Sequence, residues 1–151
     1  MLYRTRIAVL MLVVLFTAAA MSVPVQPPFS YGVIQNSCAP WDGPAIEFTL
    51  TSAPAQCGRT GSGPYLAIGV WRGLPIHEGQ AVKFGPGSDA GFASRCAKEG
   101  NCERAESGTV AFERYRPGSS AAGSYELHFK GGEMLKGTFD VKWCETRVAC
   151  R

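Results

Sequence analysis

Between Ser124 and Trp143 apolar and polar residues alternate in two runs. Tyr125, Leu127 and Phe129 interleave with Glu126, His128 and Lys130. Leu135, Phe139, Val141 and Trp143 then share one parity, and Lys136, Thr138, Asp140 and Lys142 the other. Alternate side chains of a strand point to opposite faces, so each run predicts a strand with one buried face. Gly131-Gly132 between them is a turn signal, and the two runs read as an antiparallel hairpin. Directly opposed residues share a face. A strict two-residue turn would set Leu127 against Lys136, mixing charge into the apolar row. An odd loop, Gly131–Glu133, or a two-residue turn plus a bulge, sets Phe129 against Leu135, Leu127 against Gly137 and Tyr125 against Phe139. That register is the expected one, and it leaves His128 opposite Lys136.

The same period recurs upstream. In Ala45–Thr51, Ile46, Phe48 and Leu50 alternate with Glu47 and Thr49. Tyr65–Trp71 is apolar on both parities, which predicts a central strand covered on both sides. Gly69 within it marks a bulge or a place where a large ring from a neighbour packs. Gln80–Phe84 is a weaker strand, and Gly108–Tyr115 places Val110 and Phe112 on one face. Phe92–Ser107 has no clear period and reads as an excursion from the sheet around Cys96 and Cys102. Breaker-rich stretches at Ser52–Pro64, Gly85–Gly91 and Arg116–Gly123 separate these runs. With about six strands and no amphipathic helix, the expected fold is all-β: a small, disulfide-stapled antiparallel β-sandwich, with a partly open β-barrel as the alternative.

The amino terminus follows a different rule. Arg4 and Arg6 precede an apolar run, Ile7–Ala20, that ends in Ala18-Ala19-Ala20. This is the pattern of a secretory signal peptide, with cleavage expected after Ala20 and Ser22 as the second choice. The run is shorter than the roughly 20 residues a bilayer span needs. The expected organisation is a signal peptide at 1–20, an extended or disordered lead-in at 21–37 carrying Pro24, Pro27 and Pro28, and a single β domain at 38–151. The expected location is secreted or periplasmic, with no stable membrane span after cleavage. Removing Arg4 and Arg6 leaves 13 basic residues against 12 acidic ones. With no basic cluster either, nucleic acid is not an expected partner.

All six cysteines follow the apolar run, and an even count behind an export signal reads as a disulfide framework. Cys96 and Cys102 have the same spacing as Cys144 and Cys150, which favours Cys96–Cys102 and Cys144–Cys150 and leaves Cys38–Cys57. The alternative ties Cys38 or Cys57 to Cys144 or Cys150. No CxxC pair suggests zinc, and no metal or cofactor is assigned.

Candidate chemistry is sparse. A small hydrolase would need His77 or His128 within hydrogen-bond reach of a carboxylate, and Asp42, Glu47, Glu78 and Glu113 are the carboxylates that could separately supply a glycosidase-like pair. No serine sits in a Gly-x-Ser-x-Gly elbow, and oxidised cysteines offer no thiolate. No catalytic residue is therefore assigned. Trp41, in a turn beside Asp42, is the aromatic most expected to be exposed, while Trp71 and Trp143 end apolar strands. Arg114, Tyr115 and Arg116 form a small basic-aromatic patch. Trp41, Asp42, Arg114, Tyr115 and Arg116 are the candidate binding residues. The expected function is an exported, non-enzymatic domain that binds a protein or glycan. The alternatives are a structural or accessory component of an envelope assembly and a small hydrolase using His77 or His128.

Overall fold

The computed structural model describes residues 29–58, 63–146 and 148–150. The signal segment and its cleavage position lie outside these residues. Among the described residues nine strands form one sheet: β1 (Tyr31–Cys38), β2 (Pro44–Thr51), β3 (Tyr65–Val70), β4 (Ala81–Phe84), β5 (Gly91–Lys98), β6 (Asn101–Arg104), β7 (Ser107–Arg116), β8 (Ser120–His128) and β9 (Met134–Cys144). Their order is β4-β7-β8-β9-β1-β2-β3-β5-β6. Every ladder is antiparallel except β1–β9, where Val33, Ile34 and Gln35 run parallel to Lys142, Trp143 and Cys144.

The sheet curls because the strand pairs at its two ends, β4–β7 and β5–β6, come from one continuous stretch of chain. β6 leads into β7 through Ala105 and Glu106. Ala105 N donates to Ala93 O of β5 at 2.9 Å, and Glu106 N donates to His128 O of β8 at 2.8 Å. β5 pairs with β6 while β4 pairs with β7, so the connection between β4 and β5 faces the bend between β6 and β7. The result is a curled half-barrel around one core. The expected sandwich needs two facing sheets, and a single continuous sheet replaces it. The strand count exceeds the expected six for two reasons. Phe92–Ser107 is the β5–β6 hairpin and the start of β7, not an excursion. Residues 31–37, placed in the lead-in, form β1 together with Cys38, and its period is hidden because Gly32, Gln35, Asn36 and Ser37 surround its single fully buried side chain, Ile34.

The concave side carries the core. Phe48 of β2, Phe112 of β7 and Phe139 of β9 meet with ring centroids 5.4–6.0 Å apart. These strands are not neighbours in the sheet, so only curling brings them together. Ile34, Leu50, Leu66, Ile68, Val110 and Leu127 are fully buried around them. Each such side chain contributes about 1.5–3 kcal/mol relative to exposure. Gly69 has the role its position suggested. Phe92 lies directly opposite in the β3–β5 ladder, and a Cβ on Gly69 would fall 2.7 Å from Phe92 Cδ1.

The β8–β9 hairpin keeps the expected faces but not the expected register. Leu127 opposes Leu135, Tyr125 opposes Gly137 and Gly123 opposes Phe139. The loop is odd in length but longer, because Phe129 leaves the ladder. Phe129 N donates to Glu133 O at 2.8 Å around a 3-10 turn at Lys130–Gly132, where Gly131 and Gly132 adopt φ of 80° and 83°. Released from the ladder, Phe129 is buried beneath the Arg95 guanidinium, 4.8 Å from its ring. Arg95 also pairs with Glu133, where Nη2 to Oε2 is 3.0 Å, and with Glu103 at 2.7 Å. This clasp joins β5, β6 and the β8–β9 turn, and Arg95 holds the Glu133 carboxyl below its usual range.

Gly137 leaves room for the Tyr125 ring rather than for Leu127. The Tyr125 hydroxyl accepts from Phe29 N at 3.0 Å and donates to Phe29 O at 3.2 Å. Burial pushes its pKa up to about 12, from 10.0. The unfolded chain therefore loses this proton first as pH rises. Stability should fall between pH 10 and 12 by up to about 2–3 kcal/mol from this group, with a further contribution from buried Tyr115, whose pKa burial also raises. Tyr125→Phe should cost about 1–3 kcal/mol at neutral pH, because two buried backbone groups lose their partner. It should also flatten the alkaline fall. Urea midpoints at pH 7 and pH 11 check both; an unchanged alkaline slope in the variant would contradict the assignment.

The bridges are Cys38–Cys150, Cys57–Cys144 and Cys96–Cys102. Cys96 and Cys102 are directly opposed across β5–β6. The expected Cys38–Cys57 and Cys144–Cys150 are not formed. The reason is the parallel β1–β9 ladder. Gln35 aligns with Cys144, so Cys38 lies further along the same direction, and the tail after Cys144 runs on to meet it. Cys144 is left to take Cys57 from the loop after β2.

Candidate functional site

Outward-facing residues of β3, β5 and β6 build the most distinctive surface. In the ladders Ala67 opposes Ser94, Ser94 opposes Arg104, and Gly69 opposes Phe92. Trp71 follows β3 and is fixed by its N–H, which donates to Ala90 O at 2.7 Å. Trp41 reaches the same surface from the β1–β2 turn. That turn is closed by Ala39 N to Gly43 O at 2.8 Å and Asp42 N to Ala39 O at 2.9 Å, with Asp42 at φ 61°. Gly43 lets the indole lie against the backbone, since a Cβ there would come within 3.0 Å of Trp41 Cδ1.

The rings form a row. Trp41 and Trp71 meet at 5.9 Å and 85°, and Trp71 and Phe92 at 5.5 Å and 45°. A guanidinium caps each end: Arg72 lies 4.9 Å from the Trp41 ring and Arg104 lies 5.9 Å from the Phe92 ring. Trp41 is 47% exposed, while Trp71 and Phe92 are half-buried. Arg72 Nε pairs with Asp89 at 2.6 Å, both groups well exposed. Among the described residues the exposed Arg104 has no carboxylate partner. Shallow depressions of about 350 Å³ beside Trp41, Trp71 and Arg72, and about 540 Å³ beside Phe92, Arg104 and Glu106, flank the row. The surface can stack flat groups and offer charged donors next to them.

Of the expected binding residues, Trp41 and Asp42 belong to this ledge and the other three do not. A bulge between Phe112 and Arg114 shifts parity in β7, so Phe112 and Tyr115 both turn inward. Tyr115 is buried against Phe112 and Trp143 and offers no ring to a partner. Arg114 pairs with Asp140 at 2.8 Å, and Arg116 is exposed. The proposed basic-aromatic patch is thereby divided between core and surface. The reading from sequence alone missed Arg72, Phe92 and Arg104. Gly69 was the available signal, because it called for a ring in the neighbouring strand.

The histidines lie elsewhere. His128 opposes Met134, not Lys136, and its Nε2 is 3.1 Å from Glu126 Oε1. Glu126 also pairs with Lys136 at 2.8 Å, and Lys136 followed by His128 holds its carboxyl below the usual range. The trio is half-exposed on the outer face of β8 and β9, and among the described residues no hydroxyl or thiol is hydrogen-bonded to His128. His77 is exposed in the loop before β4, where its backbone N–H donates to Gln80 Oε1 at 2.9 Å. A histidine within reach of a carboxylate is one component of acid-base chemistry, and Thr109, Ser124 and Thr138 line the same depression as Glu126 and Lys136, with none of their hydroxyls hydrogen-bonded to His128 among the described residues.

Among the described residues no three His, Cys, Asp or Glu side chains gather as metal ligands, and no helix is long and apolar enough to cross a membrane. No known protein family, curated protein or solved structure matches this chain.

Proposed function

We propose that this chain is an exported, non-catalytic contact module that works by presenting a rigid outer surface to a protein or glycan. The observation that carries this is the Trp41–Trp71–Phe92 row with an arginine at each end. A contiguous, partly exposed aromatic surface flanked by charge is the composition of a recognition patch. Three disulfides suit an oxidising compartment outside the cytoplasm. The concave side of the sheet is filled by its own side chains, which leaves the outer surface as the place of contact.

That filled interior also favours a second reading, a structural or accessory component of an envelope assembly. In that case the ledge would meet a neighbouring part of the assembly. The test uses the oxidised chain from residue 21 as bait in envelope and extracellular extracts, beside Trp41→Ala and Arg116→Gln variants. Capture that is lost with Trp41→Ala and kept with Arg116→Gln supports a contact module using the ledge. Capture by all three alike would overturn it. Ester or glycoside hydrolysis that disappears with His128→Ala would move the assignment to the hydrolase alternative.

A further inference from the structure

We propose that the ledge binds an acidic glycan, a linear chain of sugars carrying carboxylates; this rests on the contact-module reading and names its ligand class. Three observations converge. The aromatic row is shallow, and its outermost ring, Trp41, is 47% exposed beside the half-buried Trp71 and Phe92, tilted at 85° and 45° in succession, which suits a sugar ring whose apolar C–H face packs against the indole. Arg104 stands at one end of the row, exposed and without a carboxylate partner among the described residues. A guanidinium in that state is matched by a carboxylate, which it can hold through two parallel hydrogen bonds. At the other end Arg72 already holds a carboxylate, Asp89, through an exposed pair. Exposed pairs of this kind are weak, so a ligand carboxylate can exchange with Asp89 at little cost.

The surroundings narrow the class. β3 is hydrogen-bonded to β2 and β5, and β5 to β3 and β6, so an incoming peptide strand could add only along the outer edge of β6, away from Trp41 and Trp71. Arg72 is paired with Asp89 and Arg104 shares its depression with Glu106, a mixed field that suits charges spaced by sugar rings better than a dense phosphate backbone.

The probe is an oligogalacturonate, titrated into the oxidised chain by calorimetry and by tryptophan fluorescence. Its fully methyl-esterified form is the neutral control, and poly-glutamate is the peptide arm. The expected result is saturable binding of the acid form that perturbs tryptophan emission and weakens with salt. The ester should bind about tenfold or more weakly, the value of one hydrogen-bonded charge. Arg104→Gln and Trp41→Ala should each weaken the acid form by a similar factor, and Arg116→Gln should leave it unchanged. No binding of the acid form, equal binding of the ester, or equal binding of poly-glutamate would overturn the proposal. Trp41-dependent binding of poly-glutamate alone would leave the contact module standing with a different ligand. Failure of all three probes together with Trp41-independent capture from extracts would remove both.

Discussion

Replacing Cys38 and Cys150 by serine should lower stability by about 3 kcal/mol, replacing Cys57 and Cys144 should cost a similar amount, and removing both bridges should cost about 8 kcal/mol. The bridges are nested: Cys57–Cys144 spans 87 residues inside the 112 spanned by Cys38–Cys150. While one is intact, the other closes only the two flanks between them, a ring of roughly 25 residues worth about 3 kcal/mol of chain entropy. Once one is gone, the survivor closes a loop on the order of 100 residues, worth about 4.7 kcal/mol. The combined loss should therefore exceed the sum of the separate losses. It rivals the whole stability of an ordinary domain, about 5–15 kcal/mol, so the quadruple variant should be largely unfolded. Both bridges act where the ladder is weakest, at the end of the three-pair parallel β1–β9 contact. Cys96–Cys102 closes a hairpin that the β5–β6 ladder already holds, and its loss should cost about 2 kcal/mol. Urea denaturation of the four variants measures these values. A loss under about 1 kcal/mol for the Cys38/Cys150 variant would contradict the nested arrangement, as would non-reduced peptide mapping that recovers Cys38 joined to Cys57.

The period of two made the strands legible where one face is buried and the other polar. β2, β7, β8 and β9 contain such runs, and β3 was legible instead as a short run apolar on both parities. β1 and β6 were not legible, for a physical reason. β6 is Asn-Cys-Glu-Arg, exposed throughout, and β1 buries one side chain fully, so neither has an apolar face to announce it. The parallel β1–β9 contact left no trace at all, because pairing between distant segments depends on how the sheet curls and not on local period. The two wrong disulfide assignments follow from that single gap: equal spacing favours local bridges only when the chain turns back between the cysteines. It turns back between Cys96 and Cys102 and runs on between Cys144 and Cys150.

The candidate site was legible in part. Trp41 could be singled out because Ala-Pro-Trp-Asp-Gly is a turn, and turns project their side chains. Arg114, Tyr115 and Arg116 were misread because a bulge inverts parity without changing composition. Phe92 could not be placed while its segment had no assigned strand. Gly69 held the needed information in an indirect form. A glycine in a central apolar strand implies a large neighbour, and that neighbour proves to be the middle contact between Trp71 and Arg104.

Phe112→Ala should cost about 3–5 kcal/mol, the range for deleting a buried aromatic side chain. Phe112 touches Phe48, Phe139 and Tyr115, with centroids 5.7, 6.0 and 5.7 Å away. Its backbone holds the loop before β4 as well, through Gly79 N to Phe112 O at 2.7 Å and Phe112 N to Gln80 O at 2.9 Å. Those backbone bonds survive truncation, so the loss reports the ring and the cavity it leaves. Because Phe48 comes from β2 and Phe139 from β9, the measured loss tests whether the sheet curls far enough to bring these strands around one core. Phe139→Ala should be similarly costly, and the double variant should lose less than the sum, since the two rings share a contact and one cavity. Trp41→Ala, by contrast, should change stability by no more than about 0.5–1 kcal/mol, because the indole is nearly half exposed. The two substitutions therefore separate core from ledge: one lowers the urea midpoint, and the other leaves the midpoint near wild type while removing capture. A loss under about 1 kcal/mol for Phe112→Ala, or strict additivity with Phe139→Ala, would mean that the aromatic cluster does not form and that the sheet is flatter than described.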